Sequence, residues 1–365
     1  MSMNAKTGKL VARAGDAMAR AGRCIAEEGF GALGRKIARR LRGGGDEAAA
    51  RPSTSEPAPI ERPTQFTREN YAAALALGPG EFDRHSILGP EAYARLCKVF
   101  GEIAAERGAA LGHPDLARYT WYHTIDLGGG LVTPGYFDHR GAIDRFGFPD
   151  DMSGMTALDV GSATGFFSFA FERRGARVTA VDIASIEDWD MPAGADRERT
   201  LQEMMEHFGV ATVEEVSLCQ VTGPFDFCRR ALGSSVEKIE SRIQDLTLEK
   251  VGGRTFDFVF VGDLLEHTFS PLAALSAVAP LCAGTLTLSS MYPVAIENEP
   301  VMFYAGGPHR RADNKTWWWP SRRCLEQILQ RLGFGEIEAV GAFDGRMTLD
   351  VHEGLYRRIV LRARR

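Results

Sequence analysis

Thr156-Ala-Leu-Asp-Val-Gly161-Ser-Ala-Thr-Gly165-Phe-Phe-Ser-Phe-Ala-Phe-Glu-Arg-Arg-Gly-Ala-Arg-Val178-Thr-Ala-Val-Asp182-Ile183 is the stretch that decides the fold. An apolar run, Ala157 to Val160 with Asp159 inside it, breaks into a turn carrying Gly161 and Gly165. A helix-patterned segment with Phe166, Phe167, Phe169 and Phe171 follows, and a second strand-like run, Val178 to Val181, ends on Asp182. Strand, glycine turn, helix, strand and acid make a nucleotide-binding βαβ unit. Two parallel strands need a crossover, normally a right-handed helix. Glycines without Cβ let a ligand approach the turn closely. Asp182, about twenty residues past Gly161, is placed to accept from two ribose hydroxyls.

A dinucleotide fingerprint would need glycine where Ala163 stands, and no Gly-Lys-Ser/Thr follows for a P-loop. The pattern Asp159-x-Gly161-x-x-x-Gly165 suits a ligand with no pyrophosphate to cradle. It resembles motif I of the class I S-adenosylmethionine (SAM) methyltransferases. The resemblance implies a Rossmann-like, seven-stranded α/β sheet with helices on both faces and SAM as cofactor. Contacts are then expected at Asp159, Gly161, Ser162, Gly165, Asp182 and Ile183. The alternative is an α/β core whose glycines only serve packing.

A chain of 365 residues holds one large α/β domain with appendages, or two domains. A hydrophobic share of 44% and a charged share of 25% are those of a soluble globular protein. The net charge of −5 gives no general reason to expect nucleic acid as a partner. The cysteines Cys24, Cys97, Cys219, Cys228, Cys282 and Cys324 are scattered, so neither zinc nor a disulfide framework is indicated and reduced cytosolic thiols are expected. No apolar run has the length of a membrane span, and the N-terminus lacks the apolar core of a secretory signal.

Residues 1–45 read as a basic amphipathic arm. Leu33, Ile37 and Leu41 recur every four residues, flanked by Arg35, Lys36, Arg39, Arg40 and Arg42. Residues 30–42 are either a weak anchor on anionic lipid at the inner face of a membrane or a solvated basic helix, with Gly31 and Gly34 weakening it. Residues 46–65, rich in Ala, Ser, Thr and Pro, read as a linker. Residues 66–150 read as a helical and hairpin cap, with helices from Thr67 to Leu77 and from Pro90 to about Arg107. Tyr119 to Gly135 reads as two short strands around a glycine turn. Its aromatic cluster Trp121, Tyr122 and His123 either packs over the sheet edge or forms a lid on a ligand pocket.

Residues 151–365 carry the α/β domain, with a helix at 195–208 and insertions at 208–235 and 291–318. Val236 to Glu240 reads as the third strand, and Ile243, Gln244 and Asp245 in the loop after it are candidates for the adenine edge. Phe256 to Val261 is apolar enough for a central parallel strand, so Gly262, Glu266 and His267 beyond it fall where α/β sheets bind ligands. Thr285 to Ser289 is the expected fifth strand, and Gly335–Val340 and Arg357–Leu361 complete the sheet after a helix from Ser321 to Leu332. The second insertion holds His309 and Trp317-Trp318-Trp319. Three consecutive tryptophans cannot all point inward, so some line a cleft, or one or two pin the loop.

From Tyr119 onward the chain resembles the tRNA wobble-uridine 5-carboxymethoxy-forming enzymes and their relatives. Trp121-Tyr122-His123, Thr133-Pro134-Gly135, the Leu158–Phe166 turn, Ile243-Gln244, Leu265-Glu266-His267 with Ser270-Pro271, and Trp319-Pro320-Ser321 carry that resemblance. It implies cofactor contacts at Gly161, Asp182, Ile243 and Gln244, near Gly262. Those enzymes hold carboxy-SAM with a lysine, a tyrosine and an arginine. Arg358 is the arginine's counterpart, but the tyrosine position falls on Glu266, an anion, and the lysine has no counterpart. Ordinary SAM is therefore expected.

The expected activity is SAM-dependent methylation of a hydroxyl on a glycan, lipid-linked sugar or other small molecule, in the cytoplasm. His267, Glu266 and His123 are candidates for the base, and Trp121, Tyr122, His309, Trp318 and Arg358 for acceptor contacts. A tRNA-modifying enzyme and a non-catalytic SAM-binding protein are the competing readings.

Overall fold

The strand-like runs of the sequence assemble into one sheet. β1 (Thr156–Val160), β2 (Arg177–Asp182), β3 (Glu237–Glu240), β4 (Phe256–Gly262) and β5 (Cys282–Pro293) run parallel. Short β6 (Met302–Tyr304) and β7 (Trp318–Pro320) pair with each other. β8 (Glu336–Leu349) and β9 (His352–Arg364) form an antiparallel hairpin whose second strand lies against β5. The order of the seven-stranded sheet is β3-β2-β1-β4-β5-β9-β8. This computed structural model describes residues 63, 65–78, 81, 83–307, 315–349 and 352–365. The expected arm at 1–45, most of the linker and His309 lie outside the described residues.

The sheet carries a core on each face. In β4, Phe258 and Phe260 turn to one side and Val259 and Val261 to the other, all buried, as the period of two demands. The phenylalanine side faces helices α1 (Pro90–Ile103) and α2 (Phe166–Arg173). Phe171 meets Phe258 edge-on at 5.3 Å, and Phe167 lies 4.7 Å from Phe260. α3 (Ala195–Phe208) and α4 (Gly223–Leu232) belong to the crossover from β2 to β3. On the valine side, Leu275 of α5 (Pro271–Val278) and Leu325 of α6 (Arg322–Arg331) pack against the sheet. Ser321 caps α6 by accepting from the Cys324 N–H at 3.1 Å, as its position predicts. Among the described residues no helix is long and apolar enough to cross a membrane.

Three segments depart from the sequence reading. Residues 208–235 are helical rather than irregular. Thr212 and Glu215 form a capping box for Val213–Ser217, and a wide turn at Leu218–Thr222 leads into α4. Pro224 stands in the first turn of α4, where a proline is tolerated, and a Cβ on Gly223 would meet the Leu218 carbonyl at 2.6 Å. The expected hairpin at 119–135 pairs across its glycine turn, with the Thr133 N–H donating to the Ile125 carbonyl (2.9 Å), the Leu127 N–H to the Leu131 carbonyl (2.8 Å) and an antiparallel bridge between Asp126 and Val132, but it is shorter than expected. The next N–H groups go elsewhere: that of His123 donates to Thr164 Oγ1 (3.0 Å), and that of Ile125 to Thr133 Oγ1 (2.8 Å). The first cap helix is only Tyr71–Ala74, and the terminal strands are longer than expected, so that β5 absorbs Met291 to Pro293 from the second insertion.

If the aromatic face carries the core as described, Phe258→Ala will cost about 3–5 kcal/mol of unfolding free energy in urea titrations. A loss below about 1 kcal/mol would contradict that packing.

Candidate active site

In this strand order neighbouring connections part between β1 and β4, which opens a crevice at their carboxyl ends. The turn leaving β1 has left-handed backbone at Gly161 (φ +82°), Ala163 (φ +47°) and Gly165 (φ +90°). A Cβ on Gly161 would stand 2.9 Å from the Leu264 side chain, so only glycine leaves the turn open. Ala163 carries a strained conformation that Asp182 holds: the Ala163 N–H donates to Asp182 Oδ2 at 2.7 Å, and the Ile183 N–H to Oδ1 at 2.8 Å. Burial raises the Asp182 carboxyl above the usual range, opposed by Lys238 and by those two N–H groups. Asp159 lies inside the unit and accepts from Ser168 Oγ at 2.5 Å, which clamps α2 to β1. Burial pushes its carboxyl up to about 7.

β4 ends beside this turn at Gly262, and Asp263 follows with φ +45°. Its N–H donates to the Ser289 carbonyl at 3.0 Å. Its carboxylate meets Arg358 Nε of β9 at 2.6 Å. These groups border a small cavity that has Gly161, Gly262, Phe167 and Phe260 among its lining. Tyr122, His123, Phe137 and His139 supply the opposite wall.

That wall is fixed by the cap. The Thr124 N–H donates to the Phe137 carbonyl (2.9 Å), and the Phe137 N–H to the Tyr122 carbonyl (2.9 Å). The buried guanidinium of Arg84 holds both stretches by donating to Thr124 Oγ1 (2.6 Å), the Gly135 carbonyl (2.7 Å) and Asp138 Oδ2 (3.1 Å). Gly135 packs so tightly on the His123–Thr124 backbone that any Cβ there would overlap it. His123 and His139 face each other with ring centroids 5.7 Å apart. Burial, reinforced by the nearby Arg358 charge, pushes His123 down to about 3 and holds His139 well below the ordinary imidazole range. Both rings are therefore neutral at pH 7. Nδ1 of His123 is buried with no hydrogen-bond partner among the described residues.

Of the residues expected from sequence, Tyr122, His123, Gly161, Gly262 and Arg358 come together at the cavity. A second group gathers at the ends of β2 and β3. Here the Ser241 N–H donates to the Asp182 carbonyl at 2.8 Å, beside Ile243, Gln244 and Asp245. Gln244 Nε2 reaches Asp190 Oδ1 at 3.4 Å, and Asp245 pairs with Arg242 at 2.7 Å. Ser162 is buried and its Oγ has no partner among the described residues.

The other candidates lie apart from the cavity lining. Nδ1 of His267 donates to the Lys315 carbonyl at 2.7 Å. Glu266 is buried beyond the cavity lining, and its carboxyl is pushed up to about 8 by burial and then by Asp263. Trp121 is fully buried in the cap core, edge-on to Phe100 at 4.9 Å. Trp319 is buried against Phe303 and Tyr356, and half-buried Trp318 donates to the Phe269 carbonyl at 3.1 Å.

The sequence reading missed Phe137, His139 and Asp263. Asp263 directly follows the central strand and could have been found by position. Phe137 and His139 stand in irregular chain with no periodic signal.

A family profile described as a methyltransferase domain matches residues 139–339. The chain belongs to the methyltransferase-domain family. Among solved structures, the N-terminal domain of EvdMO1, crystallised in the presence of SAH and D-fucose, is 19% identical. The match covers 79% of this chain and 99% of that one, with a TM-score of 0.43. An arsenic(III) SAM methyltransferase from Chlamydomonas reinhardtii is 16% identical over 59% of this chain and 65% of its own, at a TM-score of 0.37. The 1,6-didemethyltoxoflavin-N1-methyltransferase of Burkholderia thailandensis is 18% identical over 58% and 72%, at 0.31. No curated protein sequence matches the chain.

The cofactor of this methyltransferase domain is SAM, and the residues present fit it. Gly161 keeps a left-handed turn free of a side chain, Asp182 at the end of β2 would accept from the ribose, and Ser162 offers an unused hydroxyl. Asp182→Asn, which keeps one acceptor for the turn, is expected to weaken SAM binding about tenfold or more by calorimetry. An unchanged Kd would remove Asp182 from the cofactor site.

Glu266 gives a pH test. Its carboxyl is raised by folding from 4.5 to about 8, so the stability tied to its neutral form is complete below about 4.5 and lost as pH rises through about 8. Between pH 5 and 8.5 the Tm of the wild type should fall roughly 5 °C further than that of Glu266→Gln. Parallel curves would contradict the buried neutral acid.

Proposed function

We propose that this protein transfers the methyl group of ordinary SAM to a hydroxyl oxygen of a small molecule or glycan, with His123 as the proton acceptor. The observation that carries this reading is a buried, neutral, unpartnered imidazole nitrogen in the wall of a cavity that also contains Gly161 and Gly262. SAM supplies an electrophilic methyl carbon: the acceptor oxygen bonds to it, the sulfur–carbon bond breaks with its electron pair going to sulfur, and the hydroxyl proton leaves. His123 receives that proton at Nδ1. An imidazole with a low proton affinity suffices, because a protonated ether is a far stronger acid than any imidazolium. Phe167 and Phe260 exclude water, Arg84 braces the wall from within the cap, and the His123 N–H bond to Thr164 Oγ1 ties that wall to the turn.

The pairing of Arg358 with Asp263 supports ordinary SAM over its carboxylated form. The guanidinium that would grip an extra carboxylate is already matched at 2.6 Å. The wobble-uridine reading loses its main support with that ligand set.

Labelled SAM incubated with RNA, lipid, glycan, protein and small-molecule fractions of cell extract tests the proposal. Label is expected as an O-methyl group in the glycan or small-molecule fraction, and label in tRNA would favour the alternative. His123→Gln should lower turnover about 100-fold or more while SAM affinity stays within threefold. Full turnover in that variant would exclude the role. Because His123 stays neutral down to about 3, kcat should show no acid limb near pH 6.5.

A further inference from the structure

The cavity holds a second buried polar atom that no described residue satisfies. Asp263 Oδ2 is engaged by Arg358, but Asp263 Oδ1 is buried with no hydrogen-bond partner among the described residues. The backbone makes this placement deliberate in physical terms: φ +45° is unfavourable for a side-chain-bearing residue, and the N–H bonds to the Ser289 carbonyl (3.0 Å) and Oγ (3.2 Å) hold it there. A carboxylate oxygen only accepts, so what fills the cavity must donate to it. In the Nε2–H tautomer of the neutral ring, His123 Nδ1 is likewise an acceptor.

The charges narrow the ligand further. Arg358 is the only lysine or arginine in the lining among the described residues, and Asp263 offsets it. The two lining histidines are neutral. An anionic acceptor would stand beside the Asp263 oxygen with no free cation to compensate, at a low local dielectric where like charges repel strongly.

We propose that the cavity takes an uncharged acceptor unit with at least two hydrogen-bond donors: the reacting hydroxyl on His123 Nδ1 and a second hydroxyl on Asp263 Oδ1. A neutral polyol or neutral sugar ring has this chemistry. A carboxylate-bearing unit does not. The inference rests on the oxygen-methylation reading above and adds the charge class of the acceptor and the residue that selects it.

The test has two arms. In the first, wild-type protein labels extract from methyl-labelled SAM. The product is checked for release of label by mild alkali, then hydrolysed to its units, and the methyl-bearing unit is run on anion and cation exchangers at pH 7. Alkali-stable label on a unit that neither exchanger retains is expected. Alkali-released methyl ester, or a unit retained by either exchanger, overturns the proposal while leaving transfer to oxygen intact. Label on nitrogen or sulfur sinks the oxygen reading itself.

In the second arm, Asp263→Asn is compared with wild type, since asparagine tolerates the left-handed backbone. The acceptor KM should rise about tenfold or more, with the SAH Kd by calorimetry within twofold. A tenfold weaker SAH Kd would instead assign Asp263 to the ammonium group of the cofactor and overturn the proposal. If the variant fails to fold, the exchanger result on the wild type decides alone.

Discussion

The hydrogen bond from the His123 N–H to Thr164 Oγ1, 3.0 Å long and buried, joins two parts of the molecule that sequence places far apart. Thr164 belongs to the glycine turn of the methyltransferase domain. His123 belongs to the cap, before the first residue that the family profile matches. The Thr120 N–H bond to the Cys219 carbonyl (2.9 Å) and a shared apolar core tie the same parts together. Through these ties the cap supplies Tyr122, His123 and Phe137 as a wall facing Gly161 and Gly262. The cavity thus draws its lining both from the domain shared with the family and from residues before it.

The wall is rigid because its polar groups are satisfied in a particular way. Arg84, buried, spends its guanidinium on carbonyl, hydroxyl and carboxylate oxygens from three stretches of the cap. Gly135 admits the close contact of those stretches. Three of the buried polar atoms left without a partner among the described residues stand at the cavity and its turn: His123 Nδ1, Asp263 Oδ1 and Ser162 Oγ. Buried polar atoms are seldom left unpaired in a folded protein, so these three are the ones a bound ligand would complete. The scattered charges of the surface have no such property.

The sequence was legible where local chemistry and the sheet agreed. The β1 turn, Asp182, α3 and the apolar run of β4 each announce themselves by spacing, because strand and helix periods are imposed by the backbone alone. The cofactor side of the site was therefore readable. Of the facing wall, Tyr122 and His123 were readable, and Phe137 and His139 were not. The 119–137 segment reads as a hairpin by composition and does pair across its glycine turn, but the ladder stays short because threonine hydroxyls at Thr133 and Thr164 take the Ile125 and His123 N–H groups. His139 reaches the cavity through irregular chain, and no periodicity reports that. His267 stood on the right strand end and still lies apart from the cavity lining, since a 3-10 turn at Leu265–His267 sets it against Lys315.

The central claim is that a neutral His123, delivered by the cap, borders the cofactor. Histidine-selective ¹⁵N NMR of the full chain, recorded across pH 5 to 8 with and without SAH, tests it most directly. The account predicts that the His123 ring nitrogens stay in the neutral pattern throughout that range and shift when SAH is added. A His123 that titrates near 6.5 and ignores SAH would contradict it.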